Sequence, residues 1–274
     1  MPAKEKHRLQ YYTHRGRRKH PTTLIRRLGS GLVLPILLVL LASFLATGAF
    51  LLPFTYKLQF GTLLAALGIS SVRLLVAYLL SLVIAIPLAL LAEKSRKFES
   101  VLLPIYDVFE SVPVLAFFPV AILFFVRADF LEGAAIFMLF LSMIWNIVFN
   151  AIGGLKVIPG DVKAVGHVFG LSAWDRFTKI MLPALFPPLV TGSILAIAQG
   201  WNILIVAEAL HAYAPQSAHA HDLFGIGSIL VTAAAAGNNG QLIAAITILI
   251  IVIALINLFV WQPLLARAER YKFE

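Results

Sequence analysis

Few residues in the apolar stretches of this 274-residue chain carry groups that could do chemistry. Asn146 and Asn150 are four residues apart and share a helix face, as do Gln199 and Asn202 at a spacing of three. Arg73 is the single basic residue placed inside an apolar segment. Amide groups together with a cation could line a path for a small hydrated anion. The alternative for each amide is a hydrogen bond that holds two helices together.

Arg73 needs a compensating environment, because an unpaired cation in hydrocarbon costs at least roughly 2.5 kcal/mol. It either faces a wet cavity used by an anion, snorkels to a membrane surface, or pairs with an acidic side chain. The acidic candidates Asp107, Glu110 and Glu208 lie near the ends of predicted spans, where a position at the membrane interface is expected.

No catalytic motif accompanies these residues. The sequence has no G-x4-G-K-[ST] nucleotide loop, no nucleophile elbow, no H-E-x-x-H pair and no paired carboxylates in a plausible pocket. Cysteine is absent, which excludes disulfides and thiolate metal sites. His211, His219 and His221 favour a pH-sensitive loop that touches a partner over a metal site. The sequence therefore predicts a non-enzymatic chain that binds no cofactor or metal.

The elements that must position these residues are membrane helices. The chain is 60% hydrophobic and 13% charged, and its apolar runs are long enough to cross a bilayer. We predict an all-α polytopic membrane protein with a basic tail over residues 1–30 and one membrane domain over residues 31–274. The six predicted spans are Gly31–Leu52, Gly68–Ala92, Leu102–Val126, Leu131–Ile152, Leu182–Leu210 and Gln241–Trp261, and Phe60–Ser71 either extends the second span or lies at the interface.

The basic residues orient these spans. Nineteen of the 22 Lys and Arg residues fall on alternate connections, and the exceptions are Lys57, Arg73 and Arg127. The positive-inside rule then places both termini and the loop after span four in the cytoplasm. The tail up to and including Arg27 holds nine of these residues and is expected to contact anionic lipid. No motif predicts binding to nucleic acid.

That loop, residues 155–183, has a helix-patterned polar sequence. A short helix over Asp161–Phe169 is expected to end at Gly170, since glycine suits the left-handed residue that terminates helices. Ser172 precedes Asp175 by three residues, a capping-box spacing that predicts a second helix starting near Ala173.

The second helix is amphipathic. Trp174, Phe177 and Ile180 follow a spacing of three, so one side can bury while the rest stays wet. Pro183 is expected to mark the bend into the next span.

Three stretches resemble the permease subunits of binding-protein-dependent ABC importers. The loop contains Gly170, nine further residues and then Ile180, Leu182 and Pro183. This spacing resembles the G-x9-I-x-L-P half of that family's "EAA" loop. The segments ALLAEKSRKFESVLLP and LPIYDVFESVPVLAFFPVAILFF are similar to its nitrate, sulfonate, taurine and bicarbonate branch, as is the ending WQPLLARAERYKFE with its W-x-P-L-x-x-x-A-E pattern. The resemblance covers roughly Gly61 to the end. One departure is that the Glu-Ala-Ala positions are Ala164, Val165 and Gly166 here, without the acidic residue.

The resemblance implies a type I importer permease fold, a multi-pass protein of the inner membrane that works as a homodimer. Partners would be ATPase subunits, which bind ATP and Mg²⁺, and an extracytoplasmic binding protein. The 155–183 loop would dock on the ATPase through Ala164, Gly170, Ser172, Trp174, Asp175, Phe177, Ile180, Leu182 and Pro183. The implied substrate is nitrate, a sulfonate such as taurine, or bicarbonate; a thiamine precursor is the alternative within the branch. A self-sufficient carrier or channel and a non-transporting scaffold are the competing classes.

Overall fold

A computed structural model describes residues 60–126, 128–209 and 222–271, which form helices and no strand. Four helices in this part are long and apolar enough to cross a membrane, and a bent pair of helical segments makes a fifth candidate. This agrees with the all-α prediction. The basic tail, the predicted span Gly31–Leu52 and the His211–His221 loop lie outside the described residues.

Helix α1 spans Phe60–Lys94 and contains Pro87, and α2 spans Arg96–Ser111, capped by the Ser95 hydroxyl, which accepts from the N–H of Phe98. Phe60–Ser71 is therefore an extension of the second span, one of the two expected alternatives. The predicted third span is not straight, because α2 and the next helical segment, Val114–Phe125, form an angle of 92°.

The break falls at Val112 and Pro113. Val112 is extended, with φ −78° and ψ 123°, as expected for a residue before proline. The segment after the break begins with a 3₁₀ turn over Val114–Phe117. It continues with one α-helical turn over Phe118–Ala121 and ends with a π-helical turn over Ile122–Val126.

Helix α3, Leu131–Val157, packs against both α1 and the later helix α5. Its inner face carries Met138, Leu139, Met143 and Ile147, all wholly buried. Small residues let α5 approach closely: a side chain at Gly192 would lie 2.9 Å from Cβ of Asn150.

Helix α4, Gly160–Val168, lies within one residue of its predicted bounds, and α5 then runs from Ala173 to Glu208. The predicted bend at Pro183 is wrong, because the helix continues through this residue. A π-helical turn over Phe177–Met181 precedes Leu182–Glu208, so Pro183 falls in the first α-helical turn, where a missing N–H is tolerated.

Two helices complete the described chain. The short helix α6, Ile226–Ala235, is largely buried and contacts α1, α5 and α7. Helix α7 runs from Asn239 to Tyr271, with a π-helical turn over Asn257–Trp261 and a final α-helical stretch over Gln262–Ala268. It therefore ends ten residues beyond its predicted end.

Candidate functional site

The joint between α4 and α5 has the predicted local structure. Gly170 has φ +61°, the left-handed conformation that ends α4. The Ser172 hydroxyl accepts from the N–H of Asp175 at 3.1 Å and donates to its carboxylate at 2.6 Å, and α5 begins at Ala173. Lys179 pairs with the same carboxylate at 2.6 Å. The turn is thus fixed by its own short-range hydrogen bonds and ion pair.

Large apolar side chains project from this joint. Val168, Phe169 and Trp174 are 81%, 74% and 71% exposed, respectively. Where such side chains form one patch outside lipid, the patch marks a site of interaction with a partner. We call Val168, Phe169 and Trp174 the apolar tip.

The other side of the same helix faces the chain itself. Trp174 lies against Phe177, with ring centroids 5.7 Å apart. Phe177 and Ile180, together with the last turn of α1, line a cavity of about 440 Å³ whose walls are Leu90, Glu93, Lys94, Ala173, Arg176, Phe177, Ile180 and Met181. The single aromatic face expected from the sequence is therefore divided between the outside, at Trp174, and the cavity, at Phe177 and Ile180.

The remaining residues assigned to this loop are placed differently. Ala164 is exposed on α4. Leu182 and Pro183 line a separate cavity beside the end of α7. The predicted residues thus lie on a capped two-helix element. They are divided among the exposed side with the apolar tip, the cavity at Phe177 and Ile180, and the cavity beside the end of α7.

Two of the predicted pathway residues meet. Asn146 of α3 and Gln199 of α5 line a cavity of about 310 Å³ beside the break after α2, with Phe109, Glu110, Val112, Pro113, Val114, Leu115, Leu141, Ser142, Trp145 and Ile203. Phe109 stacks on Trp145 with ring centroids 5.5 Å apart. This amide-bearing cavity has aromatic walls and one carboxylate.

Asn150 and Asn202 are not among the residues that line this cavity. Asn150 donates to the carbonyl oxygen of Asn146 at 2.7 Å, within its own helix, and Asn202 is exposed. Glu110 is exposed and also lines this cavity, and the interfacial position expected of it stays a prediction. We did not count Glu110 among the pathway residues; Pro113, three residues later, is the signal that could have indicated its place, since the cavity lies beside the helix break.

Arg73 occupies the third of its three expected environments, a pairing with acidic side chains. Its Nη1 donates to Glu208 at 2.6 Å and its Nε and Nη2 donate to Glu132 at 2.5 and 2.7 Å. Arg73 is 4% exposed and Glu208 is wholly buried, whereas the Glu132 side chain is 45% exposed. Glu208 therefore lies inside the protein, in contrast to the interfacial position expected from its place in the sequence.

The same carboxylate also holds α6. Glu208 accepts from the N–H of Gly227 at 2.8 Å, and Ser70 donates to Glu208 at 2.6 Å while accepting from the N–H of Ile226 at 2.9 Å. These contacts satisfy two N–H groups at the start of α6, one through a hydroxyl and one through the Glu208 carboxylate, the kind of group that a helix N-terminus favours. We call Ser70, Arg73, Glu132 and Glu208 the Arg73 cluster.

The described residues contain no group of His, Asp and Glu side chains that could hold a metal ion.

The chain matches one known protein family over most of its length. Residues 81–270 match the family described as binding-protein-dependent transport system inner membrane component. The chain is 34% identical over 188 residues to the nitrate import permease protein NrtB of Leptolyngbya laminosa, covering 69% of this chain and 63% of the relative.

Two further relatives differ in their named substrates. The bicarbonate transport system permease protein CmpB of Synechocystis sp. is 33% identical over 145 residues, 53% of this chain and 49% of the relative. The putative aliphatic sulfonates transport permease protein SsuC of Bacillus subtilis is 26% identical over 200 residues, 73% and 68% of the two chains. The chain thus spans about half to two thirds of the length of the curated relatives it matches. Since the family match covers most of the chain, the chain belongs to the inner-membrane permease components of binding-protein-dependent ABC importers.

Proposed function

We propose that this chain forms the translocation path of an ATP-driven importer, as a homodimer with two separate ATPase subunits and an extracytoplasmic binding protein. The observation that carries the proposal is the apolar tip on the capped joint at Gly170. Its exposed apolar groups, 71–81% accessible, suit insertion into a groove on a partner protein. In this arrangement the 155–183 loop and both termini lie in the cytoplasm.

Helix α5 supplies a mechanical connection from that joint to the path. It begins at Ala173, passes Gln199 at the amide-bearing cavity and ends at Glu208. Thirty-six helical residues extend about 54 Å, enough to cross a membrane. Movement of an ATPase against the apolar tip would tilt this helix and change access to the cavity from the two sides.

The substrate proposed first is a small anion, namely nitrate, bicarbonate or a sulfonate. It is supported by the names of the NrtB, CmpB and SsuC relatives. Asn146 and Gln199 would donate amide hydrogens to the oxygens of such an anion.

A second candidate follows from the cavity lining. None of its described residues is basic, and Glu110 adds a carboxylate beside the stacked rings of Phe109 and Trp145. Aromatic walls and a carboxylate favour a planar neutral or cationic substrate over an anion. A pyrimidine thiamine precursor, the alternative within this branch of importers, has that character.

A self-sufficient carrier is the competing class, and one reconstitution distinguishes it. The permease is placed in proteoliposomes with its ATPase and binding protein, and uptake of labelled nitrate, bicarbonate, taurine and an aminopyrimidine is measured. We expect uptake of one substrate only when ATP, the ATPase and the binding protein are all present. Uptake by the permease alone would contradict the proposal, and the substrate that is accumulated decides between the two candidates.

A further inference from the structure

A third cavity lies between the start of the long α-helical part of α5 and the end of α7. It has a volume of about 340 Å³ and is lined by Leu182, Pro183, Phe186, Arg267, Arg270 and Tyr271. It is separate from the amide-bearing cavity and from the cavity behind Phe177, with which it shares no residue.

One wall of this cavity is basic. Arg267 and Arg270 are three residues apart at the end of α7 and face the same space. Within the part of the chain that the structure describes, neither makes an ion pair, and no carboxylate lines the cavity. Like charges at this spacing on a helix repel each other, so an anion bound between the two exposed arginines would be favourable.

The opposite wall is apolar and aromatic. Phe186 meets Tyr271 edge to face with ring centroids 5.6 Å apart. Leu182 and Tyr271 are both exposed, so apolar surface is left open beside the two guanidinium groups. A ligand that fits both walls needs an anionic group and a hydrocarbon part.

We propose that this cavity binds an anionic phospholipid of the cytoplasmic leaflet. The guanidinium groups of Arg267 and Arg270 hold the phosphate through charge-assisted hydrogen bonds, and an acyl chain covers Leu182 and Phe186. Basic pockets between helices on the cytoplasmic side of membranes suit such headgroups. Inorganic phosphate would satisfy the arginines but leave the apolar wall uncovered. The site rests on the membrane orientation proposed above.

The test uses the complete transporter, washed in detergent and then titrated with phosphatidylglycerol or phosphatidylcholine, with bound lipid counted by native mass spectrometry. We expect Arg267→Gln/Arg270→Gln to weaken phosphatidylglycerol binding about 30-fold, because both basic groups that attract the headgroup are lost. The matched control is Arg96→Gln/Lys97→Gln, which removes the same charge from exposed residues on the same side and should leave binding unchanged. Arg267→Lys/Arg270→Lys should keep part of the affinity, and it replaces the Gln pair if that variant does not fold.

Three outcomes would overturn the proposal. If both Gln double variants lose phosphatidylglycerol binding equally, the lipid is attracted by the basic surface in general and not by this cavity. Displacement of the lipid by inorganic phosphate at equal concentration would identify a phosphate site. Unchanged lipid binding with loss of the copurified ATPase would make the cavity a protein contact. ATP-dependent uptake is measured on the same preparations. If the lipid does not bind this cavity but uptake is intact, the inference is wrong and the proposed function still holds.

Discussion

Nη1 of Arg73 lies 2.6 Å from the carboxylate of Glu208, although 135 residues separate them in sequence. The pair joins α1 to the end of α5 and, through the N–H of Gly227, to the start of α6. Arg73 therefore has its charge balanced within the protein.

The two partners of Arg73 predict unequal effects on stability. Arg73→Gln leaves the wholly buried Glu208 without its cation, which costs about 3–5 kcal/mol for a broken buried pair. Glu132→Gln is the control, because that carboxylate is half exposed and should contribute under about 1 kcal/mol. Thermal unfolding in detergent measures both, and Arg73→Gln/Glu208→Gln should recover part of the loss. A double variant no more stable than Arg73→Gln would contradict the pairing.

Gly170 allows a test of the joint between α4 and α5. An added Cβ there meets no atom within 4 Å, so any effect of substitution comes from the backbone at φ +61°. Gly170→Val should cost of order 1–3 kcal/mol locally, misplace the apolar tip and reduce copurification of the ATPase. Gly170→Asn, which tolerates the left-handed region, should behave close to wild type. Equal copurification of the Val and Asn variants would mean that the conformation of Gly170 is not required.

Gly192 tests the close packing of α5 on α3. A Cβ there would lie 2.9 Å from Cβ of Asn150 and 3.0 Å from the backbone oxygen of Asn146. Gly192→Ala should therefore separate the helices and destabilise the protein by about 1–3 kcal/mol. Gly68→Ala, where nothing lies within 4 Å, should be neutral or slightly stabilising in the same thermal assay. Similar midpoints for the two variants would rule out tight contact at Gly192.

The amide-bearing cavity predicts which polar residues affect transport. Asn146→Ala/Gln199→Ala should raise the KM for uptake or lower its maximal rate, while complex assembly and stability stay unchanged. Asn202→Ala is the control, since Asn202 is exposed and outside the cavity lining. Uptake kinetics equal to wild type in the double variant would remove these amides from the path.

Local features of this chain could be predicted from the sequence, whereas long-range ones could not. The cap at Ser172 and the left-handed Gly170 depend on neighbours within a few residues, and both were confirmed. The pairing of Arg73 with Glu208 depends on how α1 and α5 pack, which periodicity does not reveal. Only the general requirement that a buried cation be compensated was available.

A proline in the sequence does not by itself show whether a helix will break there. Pro113 follows an extended Val112 and breaks the segment by 92°, whereas Pro183 lies in a continuous helix because a π-helical turn precedes it. Both prolines lack an N–H, and the local hydrogen bonding decides whether the helix ends. The same limit explains why Glu110 was not among the predicted pathway residues, since its place in the cavity depends on that break.

The central claim is that the apolar tip transmits ATPase movement to α5. Its most direct test is substrate-stimulated ATP hydrolysis by the reconstituted transporter carrying Phe169→Ala/Trp174→Ala. We predict that stimulated hydrolysis and uptake are lost while membrane insertion is intact, because the two exposed aromatic rings of the apolar tip are both removed. Phe124→Ala/Phe259→Ala, which truncates two exposed aromatic residues of the apolar helices, should retain both activities. Normal stimulated hydrolysis and uptake in the Phe169→Ala/Trp174→Ala transporter would contradict the account.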